Sequence, residues 1–190
     1  MNTDESNKNK ANATWLFLLV LIFIVLRLPG IHLTYHQDEV KWVTHATTIG
    51  DINTGKGHPP LSGLIYPFLG KIVGANNMRA LPLLFGVVNL ILLYFFVKNL
   101  FGVDSARWTA GLYILPFYSV LASLMVDLDG QFLPFFVLIF LTAFFRWYKA
   151  STKKLKLYWA MILGCTVVLG FMAKLNFIIP VIAVLLFYLT

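Results

Sequence analysis

The chain has 190 residues, 59% of them hydrophobic and 12% charged, with a formal net charge of +7. A soluble domain carries about 25% charged residues, and a chain this short has no interior large enough to hide so much apolar surface from water. Mean hydropathy is +0.78, and the positive charge sits in short linkers between apolar runs. It therefore reads as membrane topology, and no nucleic-acid partner is expected.

Residues 1–12 are polar, without an apolar pattern, and are expected as a short disordered cytoplasmic tail. Everything from 13 to 190 reads as one transmembrane module. A first span runs from Ala13 to Leu28 and is closed by Pro29-Gly30. No small-x-small cleavage site follows it, so it reads as a retained span and not as a signal peptide. Arg27 at its end is expected to snorkel to the interface.

Residues 30–77 form one long mixed loop holding all four histidines, Asp38, Glu39, Asp51 and Pro59-Pro60. Two interfacial helices are expected in it. One is Val40–Ile49, which Asp38 could cap. The other is Pro60–Val73, which starts on a proline and carries Lys71 near its end. Pro67 should bend or divide the second.

Further spans follow at Leu81–Val97, Trp108–Val126 (with Pro116 in its middle) and Phe132–Trp147. The run Leu157–Thr190 is too long for one upright helix. It reads as a fifth span, a tight turn near Lys174 and the start of a sixth. Cys165 lies in that run and has no cysteine to pair with. The chain stops at Tyr188-Leu189-Thr190 without a polar tail. That points to a module incomplete at its C-terminal side, or else to a short protein whose last helix ends at the interface.

Placing the N-terminus in the cytoplasm puts Lys8, Lys10, Lys98, Arg107 and the linker Arg146, Lys149, Lys153, Lys154 and Lys156 on one side. These are nine of the fifteen basic residues, so the positive-inside rule is met. Trp15, Trp108, Trp147 and Trp159 fall at the same ends, as belt residues should. Loop 30–77 and the acidic turn Asp127-Leu128-Asp129-Gly130 are then both extracytoplasmic. The expected fold is an all-α, polytopic transmembrane helical bundle with interfacial helices in its first outer loop.

Several residues there can carry chemistry. Asp38 and Glu39 are either a solvated pair or a general base with an orienting carboxylate at the membrane boundary. Asp127 and Asp129 are either helix-end residues, with Asp129 as a cap, or a divalent-cation pair beside a phosphate. Arg79 and Lys174 either reach the surface or face an anionic headgroup. His58-Pro59-Pro60 reads first as a backbone bend. His36, His45 and His58 match no compact zinc spacing.

Taken in order, Asp38-Glu39, His58-Pro59-Pro60-Leu61, Arg79-Ala80-Leu81-Pro82, Lys98-Asn99-Leu100-Phe101-Gly102, Asp127-Leu128-Asp129 and the Gly170–Lys174 segment resemble a known pattern. They are similar to the N-terminal part of membrane glycosyltransferases of the dolichyl-phosphate-mannose protein mannosyltransferase and aminoarabinose transferase type, across about residues 13–185. The resemblance implies a GT-C fold. It also implies transfer of a sugar from a polyprenyl-phosphate donor to a hydroxyl on a protein, lipid or glycan acceptor, with inversion.

By that resemblance Asp38 is the base, Glu39 orients acceptor or donor, and Asp129, or Asp127 in a second alignment, is the other acid. Arg79 and Lys174 face the lipid phosphate, and His58 fits the histidine before the paired prolines. No cofactor is assigned and a divalent metal stays open. Family members are longer and often carry a C-terminal soluble domain. The rival readings are a transporter or flippase component, whose acids belong near the midplane, and a non-catalytic assembly factor.

Overall fold

The computed structural model describes residues 3–47 and 60–189. The side chains of Asp38, His45 and Asp129, and His58 altogether, lie outside the described residues. The described chain is all helical, in the order α1 (Thr3–Val25), α2 (Gln37–Thr47), α3 (Pro60–Val73), α4 (Ala80–Phe101), α5 (Val103–Ile114), α6 (Phe117–Ala122), α7 (Leu133–Lys149), α8 (Lys153–Ala173) and α9 (Ile178–Leu189). Among these residues four stretches are long and apolar enough to cross a bilayer: Lys10–Gly30, Ala75–Phe101, Gly130–Lys149 and Lys153–Ala173. The protein is a multi-pass integral membrane helical bundle. Large apolar side chains stay exposed along its helices, among them Phe17, Leu21 and Val25 on α1 and Ile179, Leu186 and Leu189 on α9. Lipid, not water, is the solvent that such a surface fits.

The central helix is α4, which packs against α5, α7 and α1, while α7 also packs on α8. Its buried positions Pro82, Gly86, Asn89, Leu90, Tyr94 and Val97 recur at the helical period. Gly86 is required by close approach. A Cβ there would lie 2.6 Å from the Phe23 ring of α1 and 3.2 Å from Ser123 Cβ. One core gathers Leu19, Phe23, Leu90, Tyr94 and Ile114 between α1, α4 and α5. The other gathers Trp42, Tyr66, Phe132, Phe140 and Phe177 between α2, α3, α7, α8 and α9.

Several expectations change. The helix of the first span already starts at Thr3, so most of the segment expected as a disordered tail is helical. Extending a helix that already exists costs far less than starting one. The expected third span is two helices, broken at Leu115-Pro116, and residues 123–126 follow outside α6. Proline lacks the N–H that would continue the ladder; Leu115 before it stays helical (φ −85°, ψ −36°), and the chain leaves helical geometry at Pro116 itself (φ −58°, ψ 138°). Pro67, by contrast, does not divide α3, which is one helix with the expected bounds. The first helix of the loop starts at Gln37, three residues before the expected Val40.

Arg27 does not snorkel. It is fully buried, and its guanidinium lies 3.5 Å from the centre of the Phe23 ring. It donates to Phe23 O at 2.9 Å, Ile114 O at 3.3 Å, Ser119 Oγ at 3.2 Å and Ser123 Oγ. The break at Pro116 leaves the Ile114 carbonyl without a helical donor, and Arg27 supplies one. The turn expected near Lys174 is present. α8 ends at Ala173, Lys174 is extended (φ −161°, ψ 140°), and one 3-10 turn, Leu175–Phe177, leads into α9.

Candidate functional site

The short links between α4 and α5 and between α7 and α8 put two kinds of ends apart. One end carries Lys98, Arg107, Arg146, Lys149, Lys153, Lys154 and Lys156. The other carries the exit of α1, the helices α2 and α3, residues 123–132 and the α8–α9 turn.

At this second end, Glu39 and Arg79 form the closest assembly of the expected site residues. Glu39 is 1% exposed and Arg79 5%. Arg79 Nη2 lies 2.8 Å from Glu39 Oε2, and Nε lies 3.3 Å from Oε1. Glu39 Oε2 also accepts the His36 backbone N–H at 2.7 Å, and Oε1 accepts the Val126 N–H at 2.9 Å. The remaining Arg79 donors go to backbone carbonyls: Nη1 to Gly30 at 2.9 Å and Leu33 at 2.8 Å, Nη2 to Thr34 at 2.8 Å. A guanidinium has five N–H groups and a carboxylate about four acceptor positions, and all of them are engaged here.

The local cause is plain. His36 is the residue before α2 and Glu39 its third helical residue, so the carboxylate folds back on the His36 N–H as in half of a capping box. Burial by itself would push the Glu39 carboxyl up. The Arg79 hydrogen bonds, the two N–H donors and the Arg79 charge outweigh it and hold the carboxyl below its usual range.

The bond from Val126 is the one that matters for the acidic turn. It fixes residue 126, just before Asp127, against the first turn of the helix that carries Asp38 and Glu39. Tyr66 of α3 adds a second fastening, its hydroxyl donating to Asp127 O at 2.7 Å. Its ring packs 5.5 Å from Trp42 and 6.2 Å from Phe132. Burial, with the charges of Asp127 and Glu39 adding to it, raises the Tyr66 phenol far above its ordinary value, so it stays a donor. Tyr35 completes the frame. Its hydroxyl donates to Ala75 O at 2.7 Å and accepts Met78 N–H at 3.2 Å.

Of the expected site residues, Glu39, Arg79, Asp127 and Lys174 are those whose side chains are described. Glu39 and Arg79 are in contact, and Asp127 adjoins the residue bonded to Glu39. Lys174 directly follows Ala173, which shares a core with Trp42, Tyr66 and Val126, so it is at the same end. Among the described residues no three His, Cys, Asp or Glu side chains gather as metal ligands would.

Tyr66 and Arg27 were not singled out as site or core residues by the sequence. A tyrosine beside Pro67 and an arginine closing an apolar run were the only signals. Beneath the turn lies another unforeseen group. Asn89 Nδ2 donates to Gln131 O at 2.7 Å and to Gln131 Oε1 at 2.9 Å, and Tyr113 Oη to Oε1 at 2.7 Å.

With known proteins, one comparison is positive. The family model described as dolichyl-phosphate-mannose-protein mannosyltransferase matches residues 57–190. That stretch holds His58, Arg79, Asp127, Asp129 and Lys174 but not Asp38 or Glu39. No curated protein and no solved structure matches the chain.

Proposed function

Because the chain belongs to the dolichyl-phosphate-mannose-protein mannosyltransferase family, we propose that it transfers a sugar from a polyprenyl-phosphate donor to a hydroxyl of a protein, lipid or glycan acceptor, with inversion, on a GT-C-type bundle. The N-terminus and the basic end face the cytoplasm, and the end with the acids faces outward. The observation that carries the reading is the 2.9 Å bond from Val126 N–H to Glu39. It holds the acidic turn against the helix of the Asp38-Glu39 pair.

In this reading Asp38 is the base. It takes the acceptor hydroxyl proton as the acceptor oxygen bonds to the anomeric carbon and the carbon–oxygen bond to the phosphate breaks. The polyprenyl phosphate leaves with that electron pair, so it needs a cation more than a proton. Lys174 supplies the cation. Asp129, or Asp127 in the second alignment, orients the sugar, and His58 joins the substrate-binding residues as the family resemblance implies. Glu39 and Arg79 are engaged with each other and with the backbone, so they serve as positioning residues that fix α2. A divalent ion stays open, and no step is routed through one.

The test is Asp38→Asn in the full chain, assayed for transfer from polyprenyl-phosphate mannose. Loss of a general base lowers turnover by about a hundredfold to ten-thousandfold, with the thermal midpoint unchanged. Undiminished transfer removes Asp38 from the role.

A further inference from the structure

At the end opposite the acids, a cavity of about 430 Å³ opens between the C-terminal turns of α4 and α7 and the N-terminal turns of α8. Its polar lining includes Asn99, Arg146, Lys149 and Ser151, and its apolar wall includes Phe145 and Trp159. We propose that this cavity binds the phosphate headgroup of an anionic phospholipid.

Three observations carry this. First, Arg146 and Lys149 are exposed at its rim. Neither has a hydrogen bond or ion pair through its side chain among the described residues, unlike Arg79 and Arg107. Two cations line one concavity, and among the described residues no carboxylate pairs with them. Second, all three walls are helices of the membrane-crossing class, and the cavity sits at their ends. This is the depth of lipid headgroups and the usual setting of basic pockets between spans. Third, the wall itself carries exposed apolar surface, Leu155 of α8 among it, where an acyl chain can lie.

Lys153 and Lys154 add positive charge beside the opening. They begin α8, whose Thr152 cap accepts the Leu155 N–H at 3.3 Å, and that helix start offsets part of the negative field of the α4 and α7 C-termini beside it. A choline headgroup brings its own cation into this field and gains less than a net anion does. Free inorganic phosphate has the right charge but makes no use of the apolar wall, so the occupant is the lipid.

The experiment uses the full chain in nanodiscs of phosphatidylcholine doped with phosphatidylglycerol, with retained lipid counted by native mass spectrometry. Phosphatidylglycerol should be retained at least tenfold over its share of the membrane. Each basic contact at an anionic surface is worth about fivefold, so Arg146→Gln with Lys149→Gln should lower the enrichment about tenfold or more. The thermal midpoint should stay put, because both side chains are exposed. Lys71→Gln, on α3 at the other end, should change nothing. Equal retention of both lipids, or enrichment unaffected by the double substitution, overturns the proposal. So does displacement of the lipid by millimolar inorganic phosphate, which would make the cavity a site for free anions.

Discussion

Glu39→Ala is the most informative single change. It removes the carboxylate partner of a buried guanidinium and the acceptor of two backbone N–H groups, those of His36 and Val126. Breaking one side of a buried ion pair costs about 3–5 kcal/mol, and each orphaned donor about 1–3 kcal/mol. These overlap, because the freed segments relax and water enters, so a net loss of about 4 kcal/mol is expected. Glu39→Gln keeps one acceptor oxygen and the shape, and should lose about half as much. SDS titration of the purified full chain in mixed micelles reads both. Adding Arg79→Leu to Glu39→Ala should recover part of the loss, because the stranded cation is gone. A Glu39→Ala protein within about 0.5 kcal/mol of the parent, or a double variant as costly as the two single losses added, would refute the reasoning.

The same carboxyl sets a pH dependence. It is held below its ordinary range in the fold, so its contribution is present above the unfolded value of about 4.3. It is lost as pH falls through the lower folded value. SDS midpoints should therefore drop with acid below that point in the parent and drop less in Glu39→Gln. Gly130→Ala should destabilise by about 1–3 kcal/mol and shift the acidic turn, because a Cβ there would sit 2.6 Å from the Ala122 carbonyl oxygen; an unchanged midpoint rules this packing out. Arg27→Lys should cost about 1–3 kcal/mol, since a single ammonium cannot span the Phe23 and Ile114 carbonyls and both serines as the fork does. A neutral result would mean that Arg27 is not the clamp of α6.

Much of the bundle could be read from local signals. Pro60–Val73 was expected and is observed with those bounds, because a proline start and an apolar stripe are self-contained cues. The turn at Lys174 follows from the length of the run and its breaks at Gly170, Lys174, Asn176 and Pro180. Pro116 was visible, but its effect was not. Whether a proline kinks or ends a helix depends on what satisfies the freed carbonyl, and here that donor comes from Arg27, 87 positions away. The acid pair shows the same limit. Nothing in Asp38-Glu39 says which carboxylate is engaged inside. That is decided by Arg79 and Val126, which are 40 and 87 positions further along the chain. The polar group Asn89–Gln131–Tyr113 was missed because each member, taken singly, is an ordinary residue in or near an apolar run.

The interruption after Ile114 also has a mechanical side. A continuous rod would carry an axial displacement of α5 straight to residues 123–132. Here the rod is cut, and the two pieces are joined laterally by the Arg27 guanidinium, hooked over one carbonyl and two hydroxyls, and by the Tyr113 hydroxyl bonded to Gln131. Thrust along α5 therefore meets a gap in the ladder at Pro116 and reaches residues 123–132 as sideways pull through these bonds.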